Sequence, residues 1–346
     1  MPRMVSFIEA GRAATVDEDS RPLADDEVRI RTLYSGISAG TELTAYRGTN
    51  PYINKKWDED RRLFVDGATS FEYPVNGWGY EEVGEVVELG SAATGIEVGD
   101  VVWGTWGHRS ETVQKAVEAA KRVLKIGVDA RIGIFSQIGA IALNVVLDAD
   151  IHVGETVAVF GLGVPGQLVA QLARLNGARV IAVDGVASRR ELAKQLGADE
   201  VIDASAGNVA ERIRDLTGGR GADVCLEVSG NHRALHEAIR SVAYNSRVCV
   251  AGFMQGEGAG LRLGEEFHHN RVQLVCAQIS GVHPGLQHRW DEYRLQRTFI
   301  DLAESGRVNV TDLITHEFGL EAGGEAFALV DTATTDVMQV ILKAER

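Results

Sequence analysis

The chain has 346 residues, 45% of them hydrophobic and 24% charged, which suits an ordinary globular protein of two domains, each with its own core. Its formal net charge of −14 disfavours nucleic acid and anionic membranes as partners, because both would repel such a surface. No apolar stretch is expected to reach membrane-spanning length, and Met1 to Ser6 lack the apolar core of a signal peptide, so the expected location is cytoplasmic.

From the N-terminus, residues 3–8 and 27–33 alternate as strands do, and short strands with glycine-rich connections continue through 77–88 and 98–103. This pattern predicts a β-rich domain rolled into a partly open barrel. Residues 51 to 72, with Lys55, Lys56, Trp57, Asp58 and Arg61, read as an exposed helical insertion or a lid. After Arg131 an apolar helix over 132–147 is expected to lead into the second domain.

That domain opens on the most informative segment of the chain. Val157 to Phe160 form a short β-branched run, and Gly161, Gly163 and Gly166 follow at G-x-G-x-x-G spacing with Leu162, Val164 and Pro165 between them. A helix then carries Leu168, Val169, Leu172 and Leu175 on one face, and a second apolar strand ends at Asp184. The first glycine permits a tight turn, the second lets backbone approach a pyrophosphate, and the third lets helix pack on strand. The helix N-terminus offers N–H groups to phosphate, proline being tolerated in its first turn, and the acid is placed to bind an adenosine ribose. Further strands are expected at 200–202, 222–228, 247–251 and 272–278, with helices at 188–196, 208–217 and 234–241 between them. The fold class is therefore α/β, a doubly wound parallel sheet beside the barrel. Cys225, Cys249 and Cys276 lie in the predicted strands and are expected to be buried thiols. A helix over 291–305, a helix over 323–331 and a strand over 337–342 are too few for a third domain and are expected to return to the first.

Four further segments carry a family resemblance. Residues 77–90 resemble the G-H-E-x-x-G-x-V-x-x-V-G segment of medium-chain dehydrogenases/reductases, 98–102 resemble its P-G-D-R-V turn, and 196–203 with 219–230 resemble its L-G-A-D and G-x-G-x-D-x-x-x-E-x-x-G segments. The resemblance spans essentially the whole chain. It implies a GroES-like barrel domain (1–147, completed by 285–346) and a Rossmann domain (148–284), with hydride transfer to or from a nicotinamide cofactor. The implied cofactor residues are Gly161, Leu162, Gly163, Val164, Pro165, Gly166, Asp184, Arg189, Ser229 and Gly252. Residues 35–43 and 264–268 are most similar to the branch containing bacteriochlorophyllide dehydrogenase and cyclitol reductases.

The departures from the family pattern are as informative. Zinc members place a Cys in G-I-C-G-T-D, a His in G-H-E and a later Cys, Asp or Glu around the metal; here those positions fall on Ser38 or Ala39, on Tyr80 and near Gln137. That set does not suit Zn²⁺, and no cysteine precedes Cys225 to build the family's four-cysteine lobe, so no metal is expected. Without a Lewis acid, Tyr80 is the first candidate to donate to a developing alkoxide, the alternative being an aromatic that fills the vacated metal pocket. Glu81, Ser38, Thr41, Glu42 and Gln137 are candidates to orient substrate hydroxyls or extend a proton relay, with Glu81 equally suited to a buried anchoring role. His108, near Trp103 and Trp106, reads as a solvated turn residue or as part of a cleft. His268 either reaches substrate or caps a helix. Trp78, Trp103 and Trp106 form either an aromatic wall or barrel packing.

The leading expectation is a zinc-independent, NAD(H)-dependent alcohol dehydrogenase or ketone reductase for a polyhydroxylated small molecule, cyclitol or sugar-like. The alternatives are a quinone or enoyl reductase, which usually takes NADPH, and a dinucleotide-binding sensor that has lost catalysis. The acid at Asp184 opposes a 2′-phosphate, although Arg189 and Arg190 follow it. The apolar edge strand Val272–Gln278 is expected to pair with its copy in a homodimer.

Overall fold

The computed structural model describes residues 1–67, 69, 71–333 and 335–344. Two compact units emerge, Met1–Gln137 with Thr311–Arg346, and Ile138–Val310.

The first unit is organised by the strand Glu27–Ile37, which pairs antiparallel with Glu82–Leu89, Glu111–Lys115 and Gln339–Lys343. Its residues alternate as the period of a strand requires: Val28 and Ile30 are buried, while Arg29 turns outward to Glu88 and Glu111 at 2.8 and 2.9 Å. Bulges between Arg29 and Ile30 and between Thr32 and Tyr34 bend this strand as a barrel demands. Gln339–Lys343 also pairs parallel with Ile314–Gly319, so the C-terminal segment completes the barrel sheet. A smaller sheet of Arg12–Asp17, Arg3–Glu9 and Val75–Asn76 packs through Phe7, whose ring meets Phe327 edge-on at 4.9 Å and Tyr46 at 6.0 Å.

In the second unit six parallel strands stand in the spatial order Glu200–Asp203, Arg179–Asp184, Thr156–Phe160, Ala222–Glu227, Val242–Val250 and Gln273–Cys276. Numbered along the chain this is 3-2-1-4-5-6, the doubly wound arrangement whose order reverses between the first and fourth strands. Thr156–Phe160 is buried throughout, as a central parallel strand covered on both faces must be.

Several expectations need correction. The units divide at 137/138 and 310/311 rather than at 147/148 and 284/285. Gly139, in the helix Ser136–Asp148, leaves room for the buried ring of Phe299 from the helix Glu292–Glu304, where a Cβ would collide. The Cys249 thiol bonds the Val145 carbonyl at 3.7 Å, so this helix packs on the nucleotide-type sheet. One helical run, Ala130–Asp148, is after all long and apolar enough to cross a membrane, with a mean hydropathy of 1.6, but it is 78% buried and serves as a core helix. The stretch 51–72 holds no α-helix among its described residues; after a 3₁₀ turn at Pro51–Ile53 it forms the hairpin Lys55–Asp58 with Leu63–Asp66, clipped by Phe64 against Tyr52 and Trp57. Cys225 and Cys249 are buried, whereas Cys276 is exposed because the last strand is short, Gln273–Cys276, and lies at the sheet edge.

Candidate active site

In the second unit the glycine loop follows the first strand and is shaped by close approaches. Gly161 has φ +92°, and a Cβ there would press on the Ser229 backbone. A Cβ on Gly166 would overlap the Gly161 carbonyl oxygen, so the helix Val164–Leu175 can lie against the strand only as glycine allows. Gly163 caps that helix, Pro165 occupies its first turn, and the space beside Gly163 is open. The Leu162 N–H donates to Asp184 Oδ2 at 2.7 Å and the Val186 N–H to Oδ1 at 2.8 Å, which fixes the carboxylate beside the loop. Arg189 stands 3.9 Å from the same carboxylate, and the Gln167 amide ties the Leu162 and Arg189 carbonyls together. At the end of the fourth strand Glu227 accepts from the Ser229 and Gly230 N–H groups at 2.8 and 3.3 Å, and its carbonyl accepts from the Gly252 N–H at 3.0 Å. Gly161, Ser229 and Gly252 thus converge at the point where strand order reverses. An open helix N-terminus for phosphate and an anchored acid for ribose hydroxyls fit a dinucleotide.

In the first unit Tyr80 ends a loop leading into the strand Glu82–Leu89. Its phenol is hydrogen-bonded to the Ser38 hydroxyl and stands 3.4 Å from Thr41 Oγ1. Ser38 is buried and Ala39 exposed, so of the two candidates for the family's Cys position it is Ser38 that joins the cluster. Burial, reinforced by the Glu81 and Glu42 charges, raises the phenol's pKa and keeps it protonated.

Behind the phenol lies a buried ionic chain. Glu42 Oε2 accepts from His108 Nε2 at 2.8 Å, His108 Nδ1 meets Ser35 Oγ at 2.6 Å, and Ser35 donates to Glu82 Oε1 at 3.2 Å. The Trp106 N–H donates to Glu82 Oε2 at 2.7 Å. With Glu82 ionised and accepting the one proton of Ser35, Nδ1 donates to Ser35 and Nε2 to Glu42, so the ring carries both protons; with Glu82 protonated the same chain can run the other way, from Glu82 through Ser35 to Nδ1. Burial opposes that charge, but the Glu42 carboxylate outweighs it and holds His108 above its ordinary pKa. Burial likewise pushes Glu82 up to about 7 and Glu81 well above the usual carboxylate range. Glu81 accepts from Gln339 Nε2 at 3.1 Å through Oε2, while Glu81 Oε1 and Glu42 Oε1 are buried without hydrogen-bond partners.

These positions sort the sequence candidates. Tyr80, Ser38 and Thr41 come together. Glu42 and Glu81, at 0% and 1% exposure, are sealed inside the unit, so they anchor the site rather than touch substrate hydroxyls. Gln137 is buried in the first turn of the helix Ser136–Asp148. His268 is not where a substrate-binding residue was expected. The segment after Ala251 carries the chain back to the amino edge of the sheet, where His268 sits exposed on the short helix Glu266–His269 just before the last strand. His108 is neither solvated nor a cleft residue but fully buried, and Trp103 and Trp106 are core. Sequence reasoning missed Ser35, Glu82 and Gln339; the adjacent acidic pair at 81–82, at the entry to a strand with buried Val83 and Val86, was the available signal. His236, Glu265 and Glu266 approach within 4.8 Å of one another, yet Arg262 bonds His236 and Glu265 and Arg240 bonds Glu266, so two guanidinium groups already serve as their cations.

Known dehydrogenases resemble this chain in sequence and in fold. The family model described as zinc-binding dehydrogenase matches residues 163–296, a segment containing none of Ser38, Tyr80 or Gln137. D-guloside 3-dehydrogenase of Escherichia coli (strain K12) is 34% identical over 313 residues, covering 87% of this chain and 88% of that protein. L-threonine 3-dehydrogenase of Pyrococcus horikoshii is 29% identical, with 96% of this chain and 95% of that protein aligned. The crystal structure of 2R,3R-butanediol dehydrogenase from Bacillus subtilis superposes with a TM-score of 0.78 at 21% identity over the full length of both chains.

The buried acids make a pH prediction. Between the ordinary carboxylate pKa of 4.5 and its folded value of about 7, Glu82 holds a proton in the native state that the unfolded chain has released, so stability falls as pH rises through that window. His108, raised by its partners, loses its stabilising contribution at the upper end of the same range. Melting temperature should therefore decline from about pH 5 to pH 7.5, and Glu82→Gln should flatten that decline. An unchanged slope in the variant would show that Glu82 is ionised in the native state.

Proposed function

The chain belongs to the medium-chain dehydrogenase/reductase family, an oxidoreductase acting on CH–OH and C=O groups, and from that premise we propose a zinc-independent, NAD(H)-dependent enzyme for a polyhydroxylated, sugar-like or cyclitol substrate. The observation that carries the reading is the Tyr80 phenol, held by Ser38 and Thr41 where zinc members of the family place metal ligands. Two hydroxyls and a phenol are poor zinc ligands but good hydrogen-bonding partners for a substrate oxygen. The nicotinamide supplies or accepts the hydride. The protein must then manage charge on the oxygen, and a phenol kept in its protonated form does so by donating to the oxygen as it gains charge in the reduction direction. The phenol shares a hydrogen bond with the Ser38 hydroxyl, and its donation to Thr41 Oγ1 is long, at 3.4 Å. The likeness to an enzyme named for a D-guloside favours a polyol substrate. Tyr80→Phe should lower kcat roughly 10²–10³-fold and leave NADH affinity unchanged. Wild-type turnover in that variant, measured on a panel of polyols, cyclitols and hexosides, would remove Tyr80 from the chemistry.

The cofactor preference rests on Asp184. Its carboxylate is fixed by the Leu162 and Val186 N–H groups, and a 2′-phosphate beside it would meet like charge that Arg189, 3.9 Å away, offsets only in part. Catalytic efficiency (kcat/KM) should be higher with NADH than with NADPH, and Asp184→Ser should narrow the gap. Equal efficiency in the wild type counts against this.

The edge strand Gln273–Cys276 exposes Leu274 at 42% and leaves one side of its backbone unpaired within the sheet. Such an edge invites a second copy across a two-fold axis, within the expected segment Val272–Gln278. Light scattering at micromolar concentration should return twice the 37.3 kDa chain mass, and a monomer mass would exclude the pairing.

A further inference from the structure

We propose that His108 is the positioning residue of this site: wedged between the two segments that carry the Tyr80 cluster, it sets where the phenol stands. The inference rests on the reading of Tyr80 given above only for its catalytic consequence; the positioning itself is a matter of geometry.

The ring touches both halves of the cluster. Through Nε2 it holds Glu42, which follows Thr41 directly in the helix Thr41–Arg47 and whose N–H donates to the Ser38 carbonyl at 3.1 Å. On its other side it backs the loop that delivers Tyr80. Gly79, at φ +135°, lies so close that a Cβ there would stand 3.0 Å from His108 Nε2 and 3.0 Å from Glu82 Oε1. The His108 N–H meets the Trp78 carbonyl at 3.4 Å, and its carbonyl accepts from the Val5 N–H at 2.8 Å, which anchors the residue to two neighbouring segments. The groups facing the ring are Glu42 from its helix, Ser35 and through it Glu82 from the barrel strands, and the Phe327 ring, edge-on at 5.5 Å. The adjacent Arg109 is engaged by Glu18 at 2.8 Å.

The hydrogen-bond directions make this wedge sensitive to pH. With both nitrogens protonated, Nε2 donates to Glu42, Nδ1 donates to Ser35 and Ser35 donates to Glu82. When the proton leaves Nδ1, Ser35 must turn its own proton back to the ring and release Glu82. The strand holding Glu82 follows Tyr80 and Glu81 immediately, so the change is passed to the phenol's own segment.

The test uses the full-length protein labelled with ¹³Cζ-tyrosine, with the Tyr80 resonance assigned by its loss in Tyr80→Phe. In the wild type this resonance should move between about pH 6 and 8, spanning the ordinary histidine range. His108→Gln, which keeps a donor near the Nε2 position, should hold the resonance near its low-pH place and abolish the movement. His108→Leu should displace it at every pH and lower kcat by about 10- to 100-fold, as a misplaced group does, with KM for NADH unchanged. If His108→Leu does not fold, Glu42→Gln serves in its place, since it keeps the shape and removes the charge. A Tyr80 resonance and pH response identical to wild type in His108→Gln would overturn the proposal. If His108 variants move the resonance while Tyr80→Phe turns over like wild type, the positioning stands and the catalytic reading of Tyr80 falls.

Discussion

Three carboxylates, Glu42, Glu81 and Glu82, are buried in one small barrel at 0%, 1% and 0% exposure, and their mutual repulsion is the constraint around which the candidate site is built. An isolated buried charge costs several kcal/mol, so such a cluster persists only where it is paired or protonated. Both remedies are present. One imidazole ring, bound to Glu42 and Ser35, supplies the positive charge, while Glu81 and Glu82 are driven toward their neutral forms. The ring reaches its place because Gly79 has no side chain, and the same bare backbone brings Tyr80 onto Ser38 and Thr41. Removing the ring would leave Glu42 buried and unpaired, which is why position, charge and the orientation of the phenol are bound together here.

The nucleotide-type unit solves a different problem with backbone rather than charge. Its loop depends on the Gly161–Ser229 and Gly166–Gly161 approaches, and the acid beside it, Asp184, is satisfied by two N–H groups of neighbouring residues. Few ionisable groups are needed because helix and loop N–H groups supply the positive potential that phosphates require.

That difference explains what could be read from the sequence. The glycine loop, its strand, its helix and Asp184 lie within 29 residues, from Thr156 to Asp184, so spacing alone reveals them. The six strands followed from the same local alternation of strand and helix, while their spatial order came only with the structure. The barrel site is assembled from distant parts: His108 lies 66 residues from Glu42 and 73 from Ser35, and Gln339 lies 258 from Glu81. A histidine in a glycine-flanked turn looks solvated until the fold folds that turn inward over Glu42. The unit boundaries shifted because Gly139 and Phe299, each unremarkable alone, pack the helices Ser136–Asp148 and Glu292–Glu304 together. The hairpin at 55–66 was missed because its alternation is short and its lysines, acids and arginines suggested a solvated helix face. His268 was misplaced because it was referred to the carboxyl end of the preceding strand, although it lies just before a parallel strand that must begin at the opposite, amino end of the sheet.

If the Tyr80 phenol stands in for a metal here, as proposed, then zinc content measured together with turnover decides the matter. Protein purified without chelators should contain far less than one zinc per chain by elemental mass spectrometry, and exhaustive dialysis against EDTA should leave its NAD(H)-linked turnover intact. Stoichiometric zinc, lost on dialysis together with activity and restored with it on adding the metal back, would mean that a metal and not the phenol carries the reaction.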